Sequence, residues 1–279
     1  MATNENRGCA TRECFISVGS RGAWLPSPAT DMPIGGQGWG AVSQYTNGLY
    51  GIVGSKYEGK AYTLNWPFLR GAQADAVMSM FSRSAGEPVF YLDPFAGDNI
   101  LSPLAGTPYM LAETESPVAY DEKARVLAQT IAIGSEPWYG LQFTGASTTD
   151  GANHVYSERI VVPADKKLLV VADGTNTGAV VKINGTAVGA TPVSVTATSM
   201  SNTVATLTIS GGLGVSATVN WVRAVIVPAS STDTISGFAE PHGGGNLQVP
   251  PQTFSVTGLT APTRDYAIAV DLKEVWPWA

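Results

Sequence analysis

Three short runs in this chain have residue types and spacings that could do chemistry. From Gly54 to Lys60 two glycines five positions apart are followed by lysine, the spacing with which backbone amides cradle phosphates and a lysine reaches the terminal one. Such a loop needs Ser or Thr next, to hold magnesium, and a helix whose N-terminus faces the phosphates; Ala61 follows instead, and the residues beyond it alternate as a strand does. A polar hairpin turn accounts for the run. His242-Gly243-Gly244-Gly245 matches the glycine run that donates oxyanion-hole amides in some esterases. The Gly-x-Ser-x-Gly elbow that should carry the nucleophile is missing from the chain, so the run reads as a flexible interdomain loop. Asn184-Gly185-Thr186 satisfies the glycosylation pattern, but its Asn-Gly step is sufficient as a hairpin turn.

Titratable residues add little to these. His154 and His242 are the only histidines, each in a Gly- or Asn-rich loop, and a zinc site would need ligands converging from four separate segments. Asp93 and Asp98 could pair, as could Glu113 and Glu115, but neither pair sits in a glycosidase context, and Asp93 before Pro94 simply ends a strand. Cys9 and Cys14 would close a very small loop and lack a second metal-binding half, so they read as two thiols. No catalytic residue, metal site or cofactor is expected, and the chain is not read as an enzyme. One binding option stays open: Trp138, Tyr139, Tyr156 and Trp221 could include a platform on which a sugar stacks, or could all be strand core.

The elements that must position these residues are mostly strands. Tyr62, Leu64 and Trp66 alternate with Ala61, Thr63 and Asn65, and Asn47-Gly48 upstream is a hairpin signal. The period then changes: Leu69, Ala72, Gln73, Ala76, Met80 and Phe81 predict a helix over 69–85, with Pro67 before it and Gly86 just past its end. Val89 to Leu92 is the next strand. Between 107 and 239 the composition shifts to Thr, Val, Ala, Ser and Gly, with strand-like runs at 125–133, 139–143, 159–162, 168–171, 179–188, 193–198, 204–209 and 215–227. Eight runs with regular turn signals predict a sandwich or jelly roll. Thr253 to Val256 and Tyr266 to Val275 are the last alternating runs, before Trp276 and Trp278.

Composition agrees with this and excludes several classes. Of 279 residues 44% are hydrophobic and only 14% charged, against ~25% in an average domain, and 31 Gly and 18 Pro supply turns. That length suits two domains. A net charge of −6 without a Lys/Arg cluster argues against nucleic acid as the primary partner, since that affinity rests on cations displacing counterions. No apolar stretch approaches the ~18 residues that cross a bilayer, and the first residues lack a signal peptide's apolar core, so synthesis and release in the cytoplasm without membrane insertion are expected.

The order of strand Tyr62 to Trp66, helix, Pro88-Val-Phe-Tyr-Leu-Asp93-Pro94-Phe95 and Asn99-Ile-Leu-Ser-Pro103 resembles the N-terminal domain of the distal tail (minor tail) proteins of long-tailed bacteriophages, especially those of actinobacteria. Tyr266 to Val275 with Trp276 and Trp278 resembles the closing strand of that family, and a glycine-rich loop like Pro241 to Gly245 commonly precedes it. The resemblance implies a discontinuous ring-forming β domain, residues 1–105 and 241–279, interrupted by an inserted galectin-like or carbohydrate-binding-module-like sandwich, residues 106–240. It implies a structural, non-enzymatic virion protein: a homohexameric hub joining tail tube to tail tip. Its partners would be its own copies, the tail tube protein, tip proteins and the tape measure protein. The alternative is a carbohydrate-binding module that touches a host-surface glycan.

Overall fold

The computed structural model of the chain describes residues 13–28, 34–37, 40–44, 50–54, 59–81, 87–92, 98–107, 124–133, 136–143, 153–211, 216–248, 254–260 and 265–274. Cys9, the Asn47-Gly48 turn, Lys56 of the phosphate-loop pattern, Asp93 with Pro94, Glu113, Glu115, Trp276 and Trp278 lie outside these residues.

The chain is mostly β and its sheets are antiparallel. First come β1 (Glu13–Val18), β2 (Arg21–Pro26), β3 (Ile34–Gln37), β4 (Gly40–Gln44), β5 (Tyr50–Gly54), β6 (Gly59–Arg70), the helix α1 (Gly71–Phe81), β7 (Val89–Leu92) and a single helical turn, α2 (Pro103–Gly106). The middle holds β8 (Ala124–Ile133), β9 (Glu136–Phe143), β10 (Asn153–Val162), β11 (Lys166–Thr175), β12 (Val181–Ile183), β13 (Thr186–Ala187), β14 (Val193–Thr196), β15 (Thr203–Gly211) and β16 (Ala217–Pro228). Last come β17 (Gly244–Gln248), β18 (Phe254–Thr260) and β19 (Asp265–Glu274).

Strands from the two ends of the sequence build one sheet, ordered β2-β1-β7-β17-β19-β6-β3, with β18 also on β19. Its centre is the β6–β19 pair, where Tyr62 faces Leu272, Leu64 faces Val270 and Trp66 faces Ile268. Alternation puts all six on one side. There they join Cys14, Ile16, Val89, Tyr91 and Leu247 in a core covered by α1. The indole N–H of Trp66 donates to Pro26 O at 2.8 Å, giving this large buried ring the polar partner it needs. Cys14 is buried in the same core, with Sγ 3.5 Å from Pro26 O.

The helix differs from its sequence expectation at its start. The strand runs on through Pro67 to Arg70, because the register slips between Tyr266 and Ile268 and leaves Pro67 and Phe68 opposite Ala267 alone. A bulge tolerates proline's missing N–H, and the extra residue restores parity so that Leu69, like Trp66, faces the core. With Leu69 in a strand, the helical stripe shifts: Ala74, Val77, Met80 and Phe81 are buried, whereas Ala72 is exposed. Residues 82–86 are outside the description, so the expected end of the helix is too.

In the middle, all eight strand-like runs contain strand. One sheet is ordered β14-β11-β16-β9-β8 and the other β10-β15-β12-β13. Their facing residues, among them Ile160, Val162, Leu168, Val170, Val181, Leu207, Val222 and Ala224, share a second core. Asn184-Gly185 turns β12 into β13 with φ of 49° and 78°, positive at both positions as a type I′ hairpin requires. Asn184 also accepts from Thr206 N at 2.8 Å. Asn184→Ala therefore loses a bond and forces a positive φ on a residue that resists it, and is expected to cost about 2 kcal/mol, read as a lowered thermal midpoint.

β11 is buried at every residue from Leu168 to Ala172, not at alternate ones. Its second face is covered by residues 229–240, which cross the sheet as a strap. Ile235 and Phe238 close a third cluster over Leu169, Val171, Trp221, Val225 and Val227. Lys167 fixes the strap by ion-pairing Asp233 and donating to Ser231 O, and Arg223 donates to Ser236 O at 2.7 Å and to Gly237 O at 3.3 Å.

Candidate functional site

Asn99, Ser102 and Glu158, polar and fully buried, lie where the first sheet meets the paired sheets. Phe15, Phe90 and Leu92 point away from the α1 core and into the second core, together with Ile100, Leu101 and Ala105 from the segment after β7. The face of β1 and β7 turned away from α1 thus packs directly on the second core. Asn99 stitches the contact: Nδ2 donates to Val222 O and Ala239 O, both at 3.0 Å, while Oδ1 accepts from Ala224 N at 3.1 Å and Leu101 N at 3.3 Å.

Beside Asn99 is a buried cluster around Glu158. Ser102 caps α2 with its hydroxyl, and an N-cap presents spare amides; one of them, Ser102 N, donates to Glu158 Oε1 at 3.1 Å. Ser102 Oγ lies 2.8 Å from Glu158 Oε2 and 2.9 Å from Tyr156 OH. From the first sheet, Asn246 Nδ2 donates to Ser157 O at 2.9 Å and reaches Tyr156 OH at 3.4 Å. Asn246 can do so because it has a left-handed φ of 51° at an irregularity in β17, which re-aims its side chain across the seam. Burial pushes Glu158 up to about 7; Ser102's donors oppose this, Glu274's nearby charge adds to it, and Tyr156 opposes it. Both hydroxyls can donate or accept, so hydrogen bonds are available to either form of the carboxyl while burial disfavours the charged one. Closed to solvent, this Ser-Tyr-Glu group has the chemistry of a joint and offers a substrate no approach.

A second meeting place of the two units is open. A groove of about 690 Å³ runs between β2, α1 and the turns near Ala164 and Met200, lined by Phe15, Arg21, Trp24, Met80 and Asn202 among others. Asn202 Nδ2 donates to Ser20 O at 3.2 Å across it, and Lys166 Nζ sits 5.9 Å from the Trp24 ring centre.

The residues singled out in the sequence fall as follows. Tyr156 is 2% exposed, with its hydroxyl in the Glu158 cluster. Trp221 is 8% exposed and meets Phe238 of the strap edge-on at 6.4 Å. Neither ring lies open for stacking. Trp138 and Tyr139 are in β9, Trp138 opposite Ile131, with side chains outside the described set; so is the side chain of His154, in β10. His242 is exposed, 3.6 Å from Glu240. The glycine run is not the flexible loop expected: His242 N donates to Asn99 O at 3.1 Å and Gly243 N to Leu101 O at 2.9 Å, pinning the returning chain to the outgoing one. These two amides are occupied by carbonyls, and Gly244 already belongs to β17. Asn99 and Ser102 stand in the sequence only as part of the run Asn99 to Pro103, without a role of their own, and nothing there points to Asn246. Glu158 alone carried a signal, since strand parity places it with Tyr156, Ile160 and Val162 on the inward face.

No family model, curated protein or solved structure matches the chain. Among the described residues no helix is long and apolar enough to cross a membrane.

Proposed function

We propose that this chain is a structural virion component, a distal tail hub that joins a bacteriophage tail tube to the tail tip as a homohexameric ring. The resemblance set out above motivates the reading. The observation that carries it furthest is the face of β6 and β19 turned away from the first core. Thr63, Asn65 and Arg70 are exposed there, and Ala269, Asp271 and Lys273 half-buried. Thr63 Oγ1 donates to Asp271 Oδ1 at 2.9 Å, bracing the face across the strands. A long, mostly polar sheet face, exposed on β6 and half-buried on β19, with Phe68 under Arg70 at one end, suits a wall along a water-filled lumen. Among the described residues the same sheet ends in β2 and β3, each paired on one side only. Such edges suit the head-to-tail contacts by which copies close a ring.

On this reading residues 1–105 and 241–279 supply the ring, while the paired sheets are a galectin-like sandwich carried on its outside. The chain would contact its own copies, the tube above and the tip proteins below. The apolar packing of Phe15, Phe90 and Leu92 on the second core fits an assembly part in which the sandwich rides on the ring. Gold-labelled antibody against the chain is expected to mark intact particles at the tube-to-tip junction, and purified protein mixed with tube protein to give six-fold rings in electron micrographs. Label confined to any other part of the particle would sink the proposal.

A further inference from the structure

Glu158 stands where three parts of the chain converge. Its carboxyl receives Ser102 of the outgoing segment, its strand is gripped by Asn246 of β17, and Glu274 at the end of β19 is close enough to act on it by charge. It is fully buried. Among the described residues the charged and titratable groups facing it are Tyr156 on its own strand and Glu274, while α2 contributes none. Arg159, the nearest cation in sequence, points to the opposite side of β10 among Val89, Phe90 and Val161. Among the described residues no cation is placed to neutralise an ionised Glu158.

We propose that Glu158 is a proton-operated latch between the two units: its neutral carboxyl keeps residues 99–107 and β17 seated against β10, and loss of the proton loosens them toward water. A carboxylate here keeps the donors of Ser102 and Tyr156 but is cut off from water and faces Glu274, so it is disfavoured relative to one in water, and the least disruptive route to water is to lift the segment that covers it. The covering segment is short, and the bonds that seat it, the four of the Asn99 side chain, Ile100 N to Ala224 O and the two amides of His242 and Gly243, are all local to the seam. Opening therefore does not require β6 and β19 to part. The direction follows from linkage. A carboxyl held above its ordinary range in the closed state binds its proton more tightly there than when opened to water. Closure is favoured at pH 5, weakens as pH rises toward about 7 and has lost this contribution above it.

Hydrogen exchange of the full chain, followed by mass spectrometry from pH 5 to 8.5 and corrected for the intrinsic rate, tests the latch. The opening equilibrium of the amides at Ile100, Ser102, His242 and Gly243 is expected to rise up to roughly a hundredfold across that range, while β6 and β19 stay protected. Glu158→Gln should hold the seam amides at their low-pH protection throughout. A flat profile in the natural chain, an equal rise in the variant, or opening of β6 and β19 in step with the seam overturns the proposal. Should the variant fail to fold, carbon-13 resonances of the glutamate carboxyls in the natural chain decide it. One glutamate titrating near neutrality, in step with the seam amides, supports the latch; titration of every glutamate in the ordinary range overturns it.

Discussion

Asn99→Leu is expected to cost about 4 kcal/mol of stability, one of the two largest single-residue effects anticipated in this chain. The side chain is buried and uses both amide protons and its carbonyl oxygen twice. Leucine fills nearly the same space, so little of the loss comes from a cavity. It comes from the Val222 and Ala239 carbonyls and the Ala224 and Leu101 amides, each left short of a partner at roughly 1–3 kcal/mol, less what water entering the seam returns. Asn99→Asp separates bonding from shape: it keeps the acceptor but points a carboxylate at two carbonyls, and should be no better tolerated at neutral pH. Urea titration of the three proteins checks this, and a loss below about 1 kcal/mol for Asn99→Leu would mean that the stitch is not made.

The placement of Asn99 also explains why the junction was hidden in the sequence while the sheets were not. Strand alternation is a local property. Tyr62, Leu64 and Trp66 announce an inward face within five residues, as do Ile268, Val270 and Leu272, and the pairing of these two triplets is what the fold contains. Asn184-Gly185 is equally local, because two positive φ values select that dipeptide. Asn99 has no such signature. Its partners Val222, Ala224 and Ala239 lie more than a hundred positions away, and an asparagine before an apolar pair reads as a turn.

Some residues satisfy two local rules at once, and the fold uses the less common one. Pro67 looked like the boundary of a helix, but it also fits a bulge, and the bulge carried the strand three residues further. The histidine and glycines at 242–245 read as a flexible loop in the sequence because glycine permits freedom. Here it permits proximity. The aromatics at 156 and 221 were ambiguous for a related reason: a tyrosine or tryptophan in a strand can face solvent or core, and what buries Trp221 is a strap that begins after its own strand has ended.

Gly243→Val is the second large effect, expected at about 4 kcal/mol, with much of the protein recovered insoluble. Gly243 does not have a positive φ, so conformational freedom is not the reason for glycine. A Cβ built on it would fall inside the Ile100 carbonyl, overlapping oxygen and carbon alike. Backbone cannot swing aside as a side-chain end can, so the two crossing segments must separate and give up the bonds from His242 N to Asn99 O and from Gly243 N to Leu101 O. Alanine carries the same Cβ and should show most of the effect. Gly258→Ala, where an added Cβ meets nothing within 4 Å, serves as the control and should melt within about 1 kcal/mol of the natural chain. If Gly243→Ala melted with the control, the outgoing and returning segments would not touch. Asn99 and Ser102 would then lose the framework that holds them, and the Glu158 latch would have no closed state to leave.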